Sequence, residues 1–242
     1  MNVTRNDGRG EDDIEVLERL LRERHSCRAF APRPVPRAVI ERLLALAQRT
    51  ASWCNTQPWQ VVVTSGAATD AFRAAYLAHV ASCAPAPDIA FPREYQGVYQ
   101  QRRRECGLQL YATLDIARDD RDASRRQALR NYALFDAPHV AIVTTDAALG
   151  PYGAVDCGAF VANFLLAAQA LGLGAIAQAA LASHSGFVRT HFGLPPQRQV
   201  VCGISFGHAD AAAPVNRFRT TRAGLPEAVA WVEDQGECKA SS

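Results

Sequence analysis

Arg24-His25-Ser26-Cys27-Arg28 sits between a helical pattern and a run punctuated by prolines, and the rest of the chain is best read outward from it. In an extended segment side chains alternate between faces, so Arg24, Ser26 and Arg28 project to one side and His25, Cys27 and Ala29 to the other. Two guanidinium forks flanking a hydroxyl make a clamp for a phosphate monoester, whose dianion takes charge-assisted and preferably bidentate donors. The competing reading is a pair of solvated arginines complementing the C-terminus of a helix.

Upstream, Ile14, Leu17, Leu20 and Leu21 recur at helical spacing and predict an amphipathic helix ending near Glu23. Downstream, Pro32, Pro34 and Pro36 hold the chain extended. Pro36 suits the first turn of a second helix carrying Val39, Ile40, Leu43, Leu44 and Ala47. Ser52 to Trp59 has loop chemistry, and Gln60 to Thr64 reads as a buried strand. Helical patterns follow over Ala67 to Ala81 and Gln101 to Ala117, separated by a proline-rich, aromatic stretch from Cys83 to Gln96. Asp119 to Arg130 is charge-rich and predicted to face solvent. His139 to Thr144 predicts a strand, and Asp156 to Leu171 a helix so apolar all round that it must be covered on most sides. A third strand runs up to Ala179. Ser183 is placed to cap a short helix that stops before Pro195, Val200 to His208 makes a fourth strand, and Pro226 to Glu233 a final helical piece. Helices and strands mix without strict alternation, which predicts an α+β fold.

A chain of 242 residues with 48% apolar and 21% charged residues is long enough to bury a substantial core. A net charge of +2 argues against nucleic acid or an anionic membrane as partner. Lys239 is the only lysine, which excludes Schiff-base chemistry on a buried amine. Seven scattered cysteines form no C-x-x-C pair and predict reduced thiols in a cytoplasmic protein, mostly buried as small hydrophobes. Residues 1–13 and 235–242 read as flexible tails around one domain at 14–234, without a secretion signal. The greasy region from Ala159 to Ala182 is interrupted by Asn163, Gln169 and Gln178 and reads as a buried helix and strand.

Two motifs are decoys. Gly172-Leu173-Gly174-Ala175-Ile176-Ala177 matches G-x-G-x-x-A, but a helix precedes it and a strand follows, the reverse of a dinucleotide-binding turn. Gly203-Ile204-Ser205-Phe206-Gly207 matches G-x-S-x-G, yet the last histidine, His208, follows within three residues and Asp210 comes after it, so no triad assembles in the required order. The glycines of that strand are instead expected to admit something flat. The six histidines show no metal-ligand spacing, so no metal is expected, and His139 reads as a structural histidine.

What remains is one constellation: the arginine clamp, the hydrogen-bonding Ser52, Asn55 and Gln57 with Trp53 and Trp59 as apolar walls, and Arg219 and Arg222. Together they suit a ligand with one phosphate, a polar chain and a flat heteroaromatic head. Arg24 to Phe30 followed by Pro34-Val35 resembles the opening signature of the FMN-dependent nitroreductase family. Ser52 to Trp59 resembles its second signature, and Cys202 to Asp210 with Asn216, Arg219 and Arg222 its C-terminal end. Tyr95, Arg102, Arg103, Cys106-Gly107, Asp119-Asp120-Arg121 and Phe135 to Pro138 are similar to the branch containing nitrobenzoate reductases, enone reductases and iodotyrosine deiodinase.

The resemblance implies a central mixed or antiparallel sheet flanked by helices in an interlocked homodimer, with two FMN molecules in clefts between subunits. By position, Arg24, Ser26 and Arg28, with His25 beside them, would hold the phosphate together with Arg222 and Arg219. Ser52, Trp53, Asn55 and Gln57 would reach the flavin from the other subunit. Backbone groups of Gln178, Ala179, Ala180 and Leu181 would face the ring, where the branch usually carries a larger polar and aromatic pair. A lid over about 85–117, with Tyr95, Arg102 and Arg103, would cover an electron-poor substrate. The implied activity is NAD(P)H-dependent reduction of nitroaromatics, quinones or activated alkenes by ping-pong hydride transfer, the protein contributing position and electrostatics. Other flavin reactions, namely dehalogenation or dehydrogenation, a flavin store or sensor involving Cys54, and a serine hydrolase through Ser205 are the alternatives.

Overall fold

The computed structural model describes residues 12–232. Apart from Asp12 and Asp13, the two expected tails lie outside these residues or at their edge, and Asp13 already opens a helix.

Among the described residues four strands form one sheet: β1 (Gln60–Ser65), β2 (His139–Asp146), β3 (Gly174–Gln178) and β4 (Arg198–Gly207), in the order β1-β2-β4-β3 with every pair antiparallel. The two central strands read as nearly continuous apolar runs because both faces of the sheet are covered. Ala141 and Val143 face one cluster with Leu43, Phe160, Phe164 and Phe206. Val140 and Ile142, one residue out of phase, face another with Phe72, Tyr76, Leu134 and Val188. Removing one such aromatic from water contributes roughly 1.5–3 kcal/mol. A bulge between Val143 and Thr144 shifts the β2–β4 register.

The helices are α1 (Asp13–Glu23), α2 (Arg37–Ala47), α3 (Ala67–Ser82), α4 (Gly97–Thr113), α5 (Arg121–Leu129), α6 (Gly150–Ala170) and α7 (Ser185–Phe192). Pro36 stands at the N-cap of α2 rather than inside its first turn. The charge-rich stretch forms α5, its first turn closed by Asp120, whose carboxylate accepts from the Ala123 amide at 2.8 Å. Ser183 does not cap α7: its hydroxyl donates to the Ala180 carbonyl at 2.6 Å, and His184 occupies the cap position. The final helical piece reduces to a 3₁₀ turn over Leu225–Glu227.

By length and composition Ala147–Ala170 could cross a membrane. In the fold, Gly153, Cys157, Phe160, Phe164 and Ala168 make the buried stripe of α6 against the sheet. Gly153 permits this approach, since a Cβ there would lie 2.5 Å from Thr145 Oγ1. The opposite flank is open, with Tyr152 59% and Val155 64% exposed. One chain thus covers α6 along one face, not on most sides as its composition suggests.

The glycines of β4 admit the chain's own side chains. A Cβ on Gly203 would meet Leu181 and one on Gly207 would meet the Pro138 ring. Ser205 is fully buried and donates to Gln178 Oε1 at 2.5 Å, an arrangement with no place for a nucleophile.

Candidate functional site

The segment from Arg24 to Phe30 is extended and stitched to the sheet edge. Cys27 donates its amide to the Ala175 carbonyl at 3.1 Å, and Ala31 donates to His208 at 2.8 Å. Cys27 points inward, its sulfur 2.7 Å from where a Cβ on Gly174 would stand, so the alternation inferred from sequence holds there. Burial pushes its thiol up to about 11, which keeps it protonated and inert. His25 departs from the alternation. Its Nδ1 meets the Glu23 carbonyl at 3.0 Å, and the ring lines the same cavity as the clamp.

That cavity, of about 640 Å³, brings together Arg24, His25, Ser26, Arg28, Arg219 and Arg222. Asn216 joins its two halves: Oδ1 accepts the Arg28 amide at 2.8 Å, while Nδ2 donates to the carbonyls of Ala29 (2.8 Å) and Asp210 (2.9 Å). The guanidinium groups spend few of their donors on the protein. Arg28 reaches the Ser26 carbonyl at 3.2 Å, Arg219 the Asn216 carbonyl at 2.7 Å, and Arg222 the Thr220 hydroxyl and Thr221 carbonyl, both at 2.8 Å. Among the described residues none of these four arginines pairs with a carboxylate. Burial holds Arg24 below the usual arginine value, and the Arg222 charge pushes it further the same way. Like charges therefore converge on one hollow with donors to spare, which is the electrostatic signature of an anion site.

The loop from Ser52 to Pro58 is absent from the lining of this cavity. It contains a 3₁₀ turn over Trp53–Asn55, with φ of 50° at Cys54, 55° at Asn55 and 47° at Gln57. Its polar groups close on one another: Ser52 Oγ accepts the Gln57 amide at 2.9 Å, and Gln57 Oε1 accepts from Gln48 at 3.0 Å. Asp156 of α6 holds the loop by accepting the Trp53 amide at 3.1 Å. Trp53 is 61% exposed and lies on Tyr152, ring centroids 4.5 Å apart. Trp59 is instead a core residue, stacked on Phe160 at 5.2 Å, so it walls no ligand.

At the end of β3 the side chain of Gln178 turns into the core. Nε2 donates to the Asn131 carbonyl at 2.8 Å and Oε1 accepts from Ser205. A 3₁₀ turn over Ala179–Ala182 follows. Ala179 is exposed and Ala180 half-buried, whereas the Leu181 side chain fills the space beside Gly203 and is fully buried. The turn can therefore offer backbone and small side chains outward, but not leucine.

The segment expected to form a lid is tied down at its start. Ala86 donates its amide to Ser183 at 2.7 Å, and the Asp88 amide donates to Ser185 Oγ at 3.0 Å. The Asp88 carboxylate pairs with Arg189 and accepts the Val200 amide. From Ala90 through Glu105 the chain is exposed. The Arg103 guanidinium lies 5.2 Å from the Tyr95 ring centroid, and Arg102 pairs with Glu227 at 3.0 Å. Arg102 and Arg222 both line a second cavity of about 650 Å³ between α4 and the 220–228 segment. Sequence reading missed Asp88, Asp156 and Tyr76, because an acid in a loop or a tyrosine at an apolar helix position carries no local sign of its distant partner.

Of the six free cysteines among the described residues, Cys27, Cys157 and Cys202 are buried, Cys106 is intermediate, and Cys54 and Cys83 are exposed. Expected burial thus holds for half of them. His139 is structural as expected: Nε2 accepts the Val35 amide at 2.9 Å and Nδ1 lies 2.9 Å from Ser65 Oγ. No group of three or more potential metal ligands occurs among the described residues.

Residues 21–208 match the family model described as Nitroreductase family. The chain is 38% identical over 219 residues to nitroreductase NfnB of Mycolicibacterium smegmatis, covering 89% of this chain and 92% of that one. It is 31% identical to 4-nitrobenzoate reductase of Nocardioides sp. strain LMS-CY, covering 93% of each. The crystal structure of FMN-dependent nitroreductase NfnB from Mycobacterium smegmatis in complex with NADPH superposes with a TM-score of 0.87 at 36% identity, covering 92% of this chain and all of that one. The chain belongs to the nitroreductase family.

Proposed function

We propose that this chain is an FMN-dependent NAD(P)H oxidoreductase that reduces electron-poor small molecules, nitroaromatics foremost. The observation that carries this reading is the convergence of Arg24, Arg28, Arg219 and Arg222 with Ser26 on one cavity, whose one acidic lining residue, Glu23, pairs with Arg19 rather than with any of these four. A phosphate dianion fits that donor set, and it would offset both the burial and the Arg222 charge that hold Arg24 below the usual arginine value. Spacing supports the rest of the cofactor. Ser26 pairs with Ala175, and Gln178 lies three residues further along β3, about 10 Å at the usual strand rise. A polyol chain bridges such a span between a phosphate and a flat ring set against Gln178 to Leu181. The relatives named as FMN-dependent, as nitrobenzoate reductase, and as solved with NADPH support the cofactor, the substrate class and the donor.

The chemistry that FMN supplies when bound is hydride exchange between NAD(P)H and the acceptor. The residues of this chain bind and orient. Arg24, Ser26, Arg28, Arg219 and Arg222 hold the phosphate, with His25 at the rim and Asn216 fixing both halves of the clamp. The outward backbone of Ala179 and Ala180 would face the ring, and concentrated positive charge favours an anionic reduced ring. Tyr95, Arg102 and Arg103 belong to the exposed lid over the substrate; releasing Arg102 from Glu227 would free it for an anionic acceptor. Domain limits of 14–234 and a lid within 85–117 complete the proposal, as does a cytoplasmic location.

A homodimer is part of this reading. The open flank of α6, with Tyr152 and Val155, and the exposed Trp53 form an apolar surface that a second copy would cover. Such pairing would also bring the partner's copy of the 52–58 loop toward the ring. Purified protein loaded with FMN should be yellow, bleach anaerobically with NADPH and regain colour with 4-nitrobenzoate. Colourless protein that ignores added FMN would overturn the assignment.

A further inference from the structure

We propose that Tyr76 and Ser183 are positioning residues that set the orientation of the ring-facing backbone through its buried carbonyls; this rests on the flavoprotein reading above. Tyr76 is fully buried in α3, and its hydroxyl lies 3.0 Å from the Ala180 carbonyl and 3.2 Å from that of Leu181. Ser183 Oγ lies 2.6 Å from the same Ala180 oxygen and 3.5 Å from the Tyr76 hydroxyl. Two hydroxyls thus grip the inner face of the turn whose outer face is Ala179 and Ala180.

Each peptide unit is a rigid plane. Fixing the carbonyls of Ala180 and Leu181 therefore fixes the rotation of those planes, and in a trans plane an inward Ala180 carbonyl turns the Leu181 N–H on the opposite edge outward. The upstream end is locked independently, because the Gln178 amide side chain is held by Ser205 and by the Asn131 carbonyl. This gives a role to Ser205, the serine of the G-x-S-x-G match, as a buried brace. The Tyr76 phenol is well suited to the task. Burial pushes it up to about 12, so it stays protonated at working pH. Ala179, Ala180 and Leu181 bring no polar side chain of their own to hold the turn, so the device works from beneath.

The proposal separates alignment from stability. Val188 packs in the same cluster as Tyr76 without touching the turn through a hydrogen bond, so Val188→Ala serves as a control for loosened packing. In the apo protein, Tyr76→Phe should accelerate amide hydrogen exchange across 179–183 by about fivefold or more, whereas Val188→Ala should not single out that segment. In the FMN-loaded enzyme, Tyr76→Phe should slow single-turnover flavin reduction by NADPH by about ten- to a hundredfold, with FMN affinity unchanged because the phosphate clamp is intact. Ser183→Ala should move both readouts in the same direction and supplies the test if Tyr76→Phe does not fold. Wild-type exchange over 179–183 and wild-type reduction rates in whichever variant folds would overturn the proposal while leaving the FMN assignment standing. Wild-type protein that fails to take up FMN would overturn both.

Discussion

A guanidinium group in the anion cavity is worth most where it has no other charge partner. Arg24 is half-buried beside the like charge of Arg222, so Arg24→Ala or Arg222→Ala should weaken FMN binding by about 1.5–3 kcal/mol per lost charged hydrogen bond. Fluorescence titration of apo protein with FMN reads this, and unaltered affinity in both variants would refute the clamp. Asn216 separates geometry from charge. Its three hydrogen bonds tie Arg28 and Ala29 to Asp210, so Asn216→Ala should lower both FMN affinity and thermal stability while leaving every arginine in place. A change in stability alone would show that the C-terminal half of the clamp holds itself. His139 offers a third test. Burial outweighs its bond to the Thr64 carbonyl and holds it below the usual histidine value, and His25, His184 and His208 shift the same way. The unfolded chain then takes up protons first as the pH drops. Stability should be complete above about pH 6.5 and fall as the pH drops through that value toward the lower folded-state values. Thermal melts of apo protein between pH 8 and 5 check the sign, and His139→Gln should flatten part of the slope.

At the scale of elements, α6 and the proposed lid make opposite demands. The buried stripe of α6 fastens it to the sheet, whereas its outer flank gains nothing from a single chain. Val155→Glu should therefore leave the protomer folded but shift it to monomer in sedimentation or light scattering, with loss of FMN if the cleft is shared. The lid is anchored at Asp88 by Arg189 and the Val200 amide, but beyond that it rests on exposed contacts. The pair of Arg102 and Glu227 is about half exposed on both sides, so Glu227→Gln should cost no more than about 1 kcal/mol of stability. Its effect should appear as a changed KM for anionic acceptors. The charge-rich α5 shows the limit of periodicity: its apolar content is too low for a moment-based reading, and the Asp120 cap marks its start instead.

Across the whole molecule, the early segment 24–31 and the late segment 208–222 converge on one sheet edge. Arg24 and Arg28 enter ahead of the first helix-to-sheet crossing, and Arg219 and Arg222 return after the last strand. The antiparallel sheet ordered β1-β2-β4-β3 sets them side by side, since β3 at the edge carries the Ser26 bridge and β4 leads the chain back past it. The same topology places the 3₁₀ turn over Ala179–Ala182 at the far end of β3, one strand length from the clamp. One edge strand thereby measures the separation between the proposed phosphate clamp and the proposed ring wall.

Much of this was legible locally. The alternation of Arg24, Ser26 and Arg28 against Cys27, the four strands and most helix positions follow from period and turn chemistry, because those patterns reflect burial within a few residues along the chain. The glycine strand at Gly203 to Gly207 could be cleared of nucleophile chemistry by chain order alone. Contacts between residues far apart in sequence were decided only by folding. The Asn216 staple, the Tyr76 grip on Ala180, the burial of Trp59 and Leu181 and the anchoring of Asp88 each join segments whose local sequences are indifferent to one another. Their geometry comes from sheet order and helix packing, which arise from the chain's closure as a whole and not from any window of it.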